Sequence, residues 1–526
     1  MRNKSIRKDS NIANNNELKW GSVLSYAQMI LSVVIGIVYT PIMIRLLGKS
    51  EYGLYNTVAS TISMLSILSL GLNSSYIRFY ARYKKEGELD KVFRLNGLYL
   101  LIFSIIGIIA FVCGMFLSSH LSLIFDTGLT ATEYKTGRIL MILLTISLTL
   151  QFPMSVFSTI ITANERFIFL KLLSMIKTVV GPLVTLPILL MGFRSIGMVA
   201  STLVISVIVD CIFIYYVFVR LKNRFLFSQF EKGLFQSLFT YSVFIAINVI
   251  VDQVNNSVDR VLLGRFNGTA TVAVYAVGAN LYMHYMNIST AVSTVFTPKI
   301  HTIYNAFEDS FERNYHLSEL FIKVGRVQFL ILMLFASGIV FFGKAFIFHW
   351  VGTGYEDSYY VALLLILPVS IPLIQNLGIE IQRAANKHQF RSIIYLGMAM
   401  VNFALTIYLC RLFGAIGAAV GTAVSFIIAN GLVMNIYYYK AIGLNIPEFW
   451  KNIVRMAIGM APAFAIGCFI SWKANFATVW GLLLWILIYT VVYISCTWLF
   501  SMNQFEKTLI SGPVKSSIQR IRERIF

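Results

Sequence analysis

From Trp20 to Phe500 the chain alternates long apolar runs with short polar connections. A helix crossing ~30 Å of hydrocarbon needs about 20 mostly apolar residues. Runs of that size lie near 20–44, 52–76, 95–118, 139–163, 167–190, 195–219, 234–258, 272–296, 321–343, 358–380, 392–410, 415–439, 453–471 and 476–500, giving spans 1 to 14 in chain order. The pattern predicts an all-α integral membrane protein of about 14 transmembrane helices. Very short turns join spans 5–6 and 11–12, so each pair is expected to form a helical hairpin. The connection Thr297–Leu320 mixes Phe307 and Phe311 with Glu308, Asp309, Glu312 and Glu319, which predicts a short helix of its own. Pro41, Pro153, Pro182, Pro187, Pro368 and Pro372 predict kinks within spans, because proline removes a backbone hydrogen bond.

The polar positions between the runs fix an expected orientation. With the N-terminus cytoplasmic, 33 of the 43 Lys and Arg residues fall on cytoplasmic connections and the other 10 outside. Reversing the chain would invert that ratio, so both termini are expected in the cytoplasm. Composition agrees: 57% of residues are hydrophobic and 13% charged, with a mean hydropathy of +0.74. The net charge of +20 sits in short inter-span loops, where it sets topology rather than binding nucleic acid. The polar start resembles a signal-peptide leader, but the run behind it is too long for one and is expected to stay as span 1. The tail Ser516–Phe526 alternates Ile518, Ile521 and Ile525 with Arg520, Arg522 and Arg524, suiting either a basic amphipathic helix or a solvated tail.

Five cysteines stand singly in apolar runs, without a C-x-x-C, so neither a metal site nor a redox pair is indicated. The chain has no Walker-type phosphate loop, so it carries no sign of ATP hydrolysis, and no cofactor is expected.

The two halves echo each other. Leu46-Leu47-Gly48 recurs as Leu262-Leu263-Gly264, Tyr55 as Tyr275, Ala163-Asn164 as Ala385-Asn386, and Ile196-Gly197 with Thr202 as Ile416-Gly417 with Thr422. The offset equals six spans, an even number, so the repeat is parallel, with its pseudo-axis along the membrane normal. The expected organisation is two parallel six-helix repeats plus two extra C-terminal helices. That places a cytoplasmic tail at 1–19, a first bundle at 20–219, a linker at 220–233, a second bundle at 234–439, two further helices at 440–500 and a basic tail at 501–526.

Ionisable groups inside spans are costly and mark candidate sites. Lys177 in span 5 and Asp210 in span 6 share a depth, as a structural ion pair or with Lys177 facing a cavity to meet a phosphate. In span 7, Asn248, Asp252, Asn255 or Asn256, and Asp259 recur at helical spacing on one face. Asn280 and His284 continue the theme in span 8, and Asn56 and Ser60 in span 2. His284 either senses protons or is simply hydrogen-bonded in place. Arg78 and Arg260 lie at span ends, to attract an anionic headgroup or to set topology.

Arg45-Leu-Leu-Gly-Lys-Ser-Glu-Tyr-Gly-Leu-Tyr55, Leu70-Gly71-Leu72 with Arg78, Asp259-Arg260 through Tyr275, and Gly414-Ala-Ile-Gly-Ala-Ala-Val-Gly-Thr422 resemble the polysaccharide transporter family. Its members are O-antigen and capsule flippases of the multidrug/oligosaccharidyl-lipid/polysaccharide superfamily. The resemblance implies a non-enzymatic flippase in a bacterial cell membrane. It would carry polyprenyl-diphosphate-linked oligosaccharide outward by alternating access, with the bilayer and a polysaccharide polymerase as partners. A lipid-linked peptidoglycan-precursor flippase and a cation-coupled drug or metabolite exporter are the alternatives.

Overall fold

The computed structural model describes residues 2–509 and 511, apart from 127–128, 229–232 and 388. Among them every regular element is helical. The first part holds α1 (Arg2–Leu47), α2 (Lys49–Met64), α3 (Leu72–Glu86), α4 (Leu89–Ser119), α5 (Ala131–Ala163), α6 (Phe167–Ile188) and α7 (Arg194–Tyr215). The middle holds α8 (Leu234–Asn267), α9 (Thr269–Ala306), α10 (Ser310–Val351), α11 (Ser358–Ile374) and α12 (Leu377–Ala384). The last part holds α13 (Gln389–Phe426), α14 (Met434–Tyr437), α15 (Ile446–Lys473) and α16 (Val479–Cys496). Among the described residues nine stretches are long and apolar enough to cross a membrane, or up to ten counting the bent pair α11–α12.

Two of those stretches, Phe167–Arg220 and Gln389–Ile442, are 54 residues long because each contains a reversal. The chain turns at Gly192 (φ 86) and Arg194 (φ 49, ψ −144), and again at Gly414 (φ 54, ψ −132). These are the hairpins expected for spans 5–6 and 11–12. The second closes tightly: a Cβ on Gly417 would lie 2.0 Å from the Leu409 carbonyl oxygen, so only glycine permits this approach.

Span 2 departs from the expected single helix. It breaks between α2 and α3 through a 3₁₀ turn at Leu65–Ser69, with Leu70 (φ 47) and Gly71 (φ 67) left-handed. A side chain on Gly71 would collide with Ile245 at 2.3 Å. The apolar run continues through this break, so hydropathy alone hides it. The Thr297–Leu320 connection also differs. It has no separate helix, because α9 runs on to Ala306 and α10 starts at Ser310, where the Asp309 carboxylate accepts from the Phe311 and Glu312 amides at 3.3 and 3.2 Å. The tail Ser516–Phe526 lies outside the described residues.

Backbone conformation refines the internal echo. Gly48 (φ 79, ψ 166) and Gly268 (φ 82, ψ 172) make the same turn, before α2 and α9 respectively. Gly264, paired with Gly48 by the Leu-Leu-Gly match, instead sits inside α8, where a Cβ would meet Thr57 at 2.4 Å. Gly268 is therefore the conformational counterpart of Gly48. Arg194 and Gly414 likewise share one unusual conformation at the two hairpin turns.

Packing divides the chain into two units, Met1–Ala276 with Tyr395–Gly421, and Val277–Ile394 with Thr422–Phe526. The first has an aromatic core around Tyr76, Tyr99, Phe103, Phe152 and Phe157. Within it the Tyr76 hydroxyl donates to Asn96 Oδ1 at 2.6 Å. The starts of α2, α5, α7 and α9 are tied by two carboxylates. Glu51 accepts from the Ser195 amide at 2.9 Å and from Arg194 at 3.2 Å, while Glu133 accepts from Ser50 and from Thr269 at 3.1 Å. Negative charge suits helix N-termini.

The second unit is pinned by a buried ion pair. Arg326 of α10 donates from Nε and a terminal nitrogen to Glu506 at 2.5 and 3.0 Å, and also to the Ser501 carbonyl at 3.1 Å and Asn452 at 3.2 Å. The two side chains are 7% and 2% exposed. Glu506 and Asn503 also cap each other's backbone amides, at 2.8 and 3.0 Å.

Candidate functional site

The α6–α7 hairpin sets Lys177 and Asp210 at similar distances from its turn, on opposite arms. Together with α5 these arms enclose a cavity of about 420 Å³. Lys177 and Asp210 both line it, as do Ser147, Gln151, Ser155 and Ser158 of α5, Ser174 of α6 and Ser206 of α7. Lys177 and Gln151 are exposed and Asp210 partly buried. Among the described residues Lys177 and Asp210 form no contact ion pair, although the ammonium acts on the carboxylate electrostatically. Four serines donate within their own helices: Ser155 to Phe152 at 2.7 Å, Ser158 to Ser155 at 2.9 Å, Ser174 to Leu170 at 2.8 Å and Ser206 to Thr202 at 2.9 Å.

The α8 stripe divides along its length. Asn248, Asp252 and Asn256 are exposed and Asn255 is partly so, whereas Asp259 is buried. Asp259 accepts from the Tyr275 hydroxyl at 2.5 Å and from Thr406 at 3.2 Å. It is thus held inside the first unit rather than on an open wall, because α9 and α13 cover that end of α8. A second polar face of α8 bonds to α2: Gln253 donates to the Ser63 carbonyl at 2.6 Å, and Ser257 lies 3.0 Å from the Ser63 hydroxyl. Arg260 is half-buried, its Nε is buried without a hydrogen bond, and its charge reaches Tyr55.

The remaining candidates differ in setting. Asn56 is half-buried and donates to the Tyr52 carbonyl at 2.8 Å, while Ser60 is buried. Asn280 and His284 are half-buried in the second unit, and His284 Nδ1 is buried without a hydrogen bond. Arg78 is exposed on α3. Among the described residues no three His, Cys, Asp or Glu side chains gather as a metal site.

Sequence reasoning missed the α5 wall. Ser147, Gln151, Ser155 and Ser158 recur at the helical spacing that singled out α8, so the same rule applied to span 4 finds them. It also missed Tyr275 and Thr406 on Asp259, which no local pattern announces.

Residues 18–303 match the family described as "Polysaccharide biosynthesis protein". The chain belongs to that family. A Shigella flexneri relative named "Putative O-antigen transporter" is 21% identical over 401 residues, covering 75% of this chain and 91% of the relative. Among solved structures, the lipid II flippase MurJ in an inward closed conformation superposes with a TM-score of 0.72 at 17% identity, covering 93% of this chain and 99% of MurJ. An inward-facing multidrug MATE transporter superposes with a TM-score of 0.58 at 12% identity, over 80% of this chain and 99% of its own. The fold is that of the multidrug/oligosaccharidyl-lipid/polysaccharide superfamily. This member of the polysaccharide-biosynthesis family is a multi-pass membrane protein with a transporter fold rather than an enzyme.

Proposed function

We propose that this transporter flips polyprenyl-diphosphate-linked oligosaccharide from the inner to the outer leaflet of a bacterial cell membrane by alternating access, with both termini cytoplasmic. The observation that carries the reading is the polar cavity of α5, α6 and α7, set among apolar helices and holding an exposed lysine. Stripping an isolated charge of water costs tens of kcal/mol by Born estimates, so an anionic sugar headgroup does not cross lipid unaided. A wet path lined by polar groups removes most of that cost while the polyprenyl tail stays in lipid. Exposure of Asn248, Asp252 and Asn256 supports a second wetted wall. Arg260, with its unbonded Nε, and exposed Arg78 are the cations suited to the diphosphate. An inside-negative potential favours outward movement of an anion by ~2.3 kcal/mol per charge per 100 mV.

The MurJ fold covers 93% of the chain and the MATE fold 80%, which favours a lipid-linked cargo over a small drug. The same likeness keeps a lipid-linked peptidoglycan precursor as the second reading. Deleting the gene should make a lipid-linked oligosaccharide accumulate in the inner leaflet. Lys177→Ala should fail to clear it, and Lys177→Arg should clear it in part. Increased drug sensitivity without accumulation would favour an exporter. Full clearance by Lys177→Ala would remove that residue from the mechanism.

A further inference from the structure

We infer that the α5–α6–α7 cavity receives the sugar portion of the cargo and not its diphosphate. The inference rests on the flippase reading above. Serine inside a helical bundle commonly bonds a neighbouring helix. Among the described residues, Ser155, Ser158, Ser174 and Ser206 each donate to a carbonyl of their own helix, and none bridges to another. Their protons are committed and their oxygen lone pairs remain. Asp210 adds a carboxylate, which when ionised only accepts. The wall is therefore rich in acceptors, and the formal charges of Lys177 and Asp210 cancel.

A diphosphate brings acceptor oxygens and negative charge. Set against four serine lone pairs and a carboxylate, it finds donors in Lys177, Gln151 and Ser147, and repulsion from Asp210 and the other acceptors. A sugar ring brings several O–H donors. These can donate to the serine oxygens and to Asp210, while its ring and carbonyl oxygens accept from Lys177 and Gln151. The volume of about 420 Å³ lies within the range of small-molecule sites.

The test uses the full-length protein in lipid nanodiscs and two probes: bare undecaprenyl diphosphate, and the lipid-linked oligosaccharide extracted from the deletion strain. Asp210→Asn should weaken binding of the glycosylated lipid by about tenfold or more, the scale of a hydrogen bond to a charged group, and Gln151→Ala by about three- to tenfold, the scale of one to a neutral group. Binding of the bare lipid should stay within about twofold, since it forms no hydrogen bond there. Gln151 is exposed, so its truncation keeps the test valid if Asp210→Asn misfolds. Equal losses for both probes would put the diphosphate in the cavity and overturn the inference, as would unchanged binding of both. A wild-type protein that binds neither probe would remove the flippase reading itself, and the inference with it.

Discussion

Arg326–Glu506 and Lys177–Asp210 are both pairs of opposite charge on the helices and beside them, and they are built in opposite ways. Arg326 and Glu506 touch through two bonds, are almost wholly buried, and have further polar partners around the guanidinium. Lys177 and Asp210 share a cavity, form no contact pair, and leave the lysine exposed. Taking two charges out of water is repaid only by close contact and satisfied hydrogen bonds. The first pair meets that condition and fixes structure. The second keeps both charges near space that something else can enter. A charged residue inside a span is thus not a site by itself; its distance from its counter-charge decides.

Four substitutions probe that contrast. Arg326→Leu leaves the Glu506 carboxylate buried and unpaired, and should cost about 3–5 kcal/mol, read as a large drop in melting temperature in detergent. Adding Glu506→Leu should recover most of the loss, because a matched apolar pair is often no worse than a buried ion pair. A single variant that melts like wild type would erase the distinction. Next, Tyr275→Phe removes the 2.5 Å bond to Asp259 and should cost about 1.5–3 kcal/mol on the same measurement. Least of all, Lys177→Ala should shift stability by no more than about 0.5 kcal/mol, as exposed positions usually do. Loss of surface polysaccharide in that variant, with melting unchanged, sharpens the contrast; a large destabilisation would make Lys177 structural after all.

Hydropathy made the rods and both hairpins legible, because a membrane demands length and apolarity of every crossing segment. It could not show the Leu70-Gly71 break, since lipid accepts an apolar break whose backbone is satisfied by neighbours. The Lys177–Asp210 juxtaposition followed from counting along two arms of a hairpin. Asp259 illustrates the limit: its helical spacing placed it on the α8 stripe, yet Tyr275 and Thr406 bury it. Thr406 arrives from far along the chain, through a hairpin whose glycines let α13 fold against itself. Arg326 and Glu506 are also far apart in sequence, and nothing local links them.

The Glu506 clamp bears on biosynthesis. The partner of a buried guanidinium in α10 is made only after all of α15 and α16. Until Glu506 emerges, the nascent chain holds a cation without its counter-ion, so an interrupted copy is weakened in a helix completed much earlier. Proteases and chaperones act on such weakened states. Synthesis as far as Glu506 is thereby written into the stability of the second unit, and a truncated chain carrying a reporter in place of Asn503 onward would lose that safeguard along with the carboxylate.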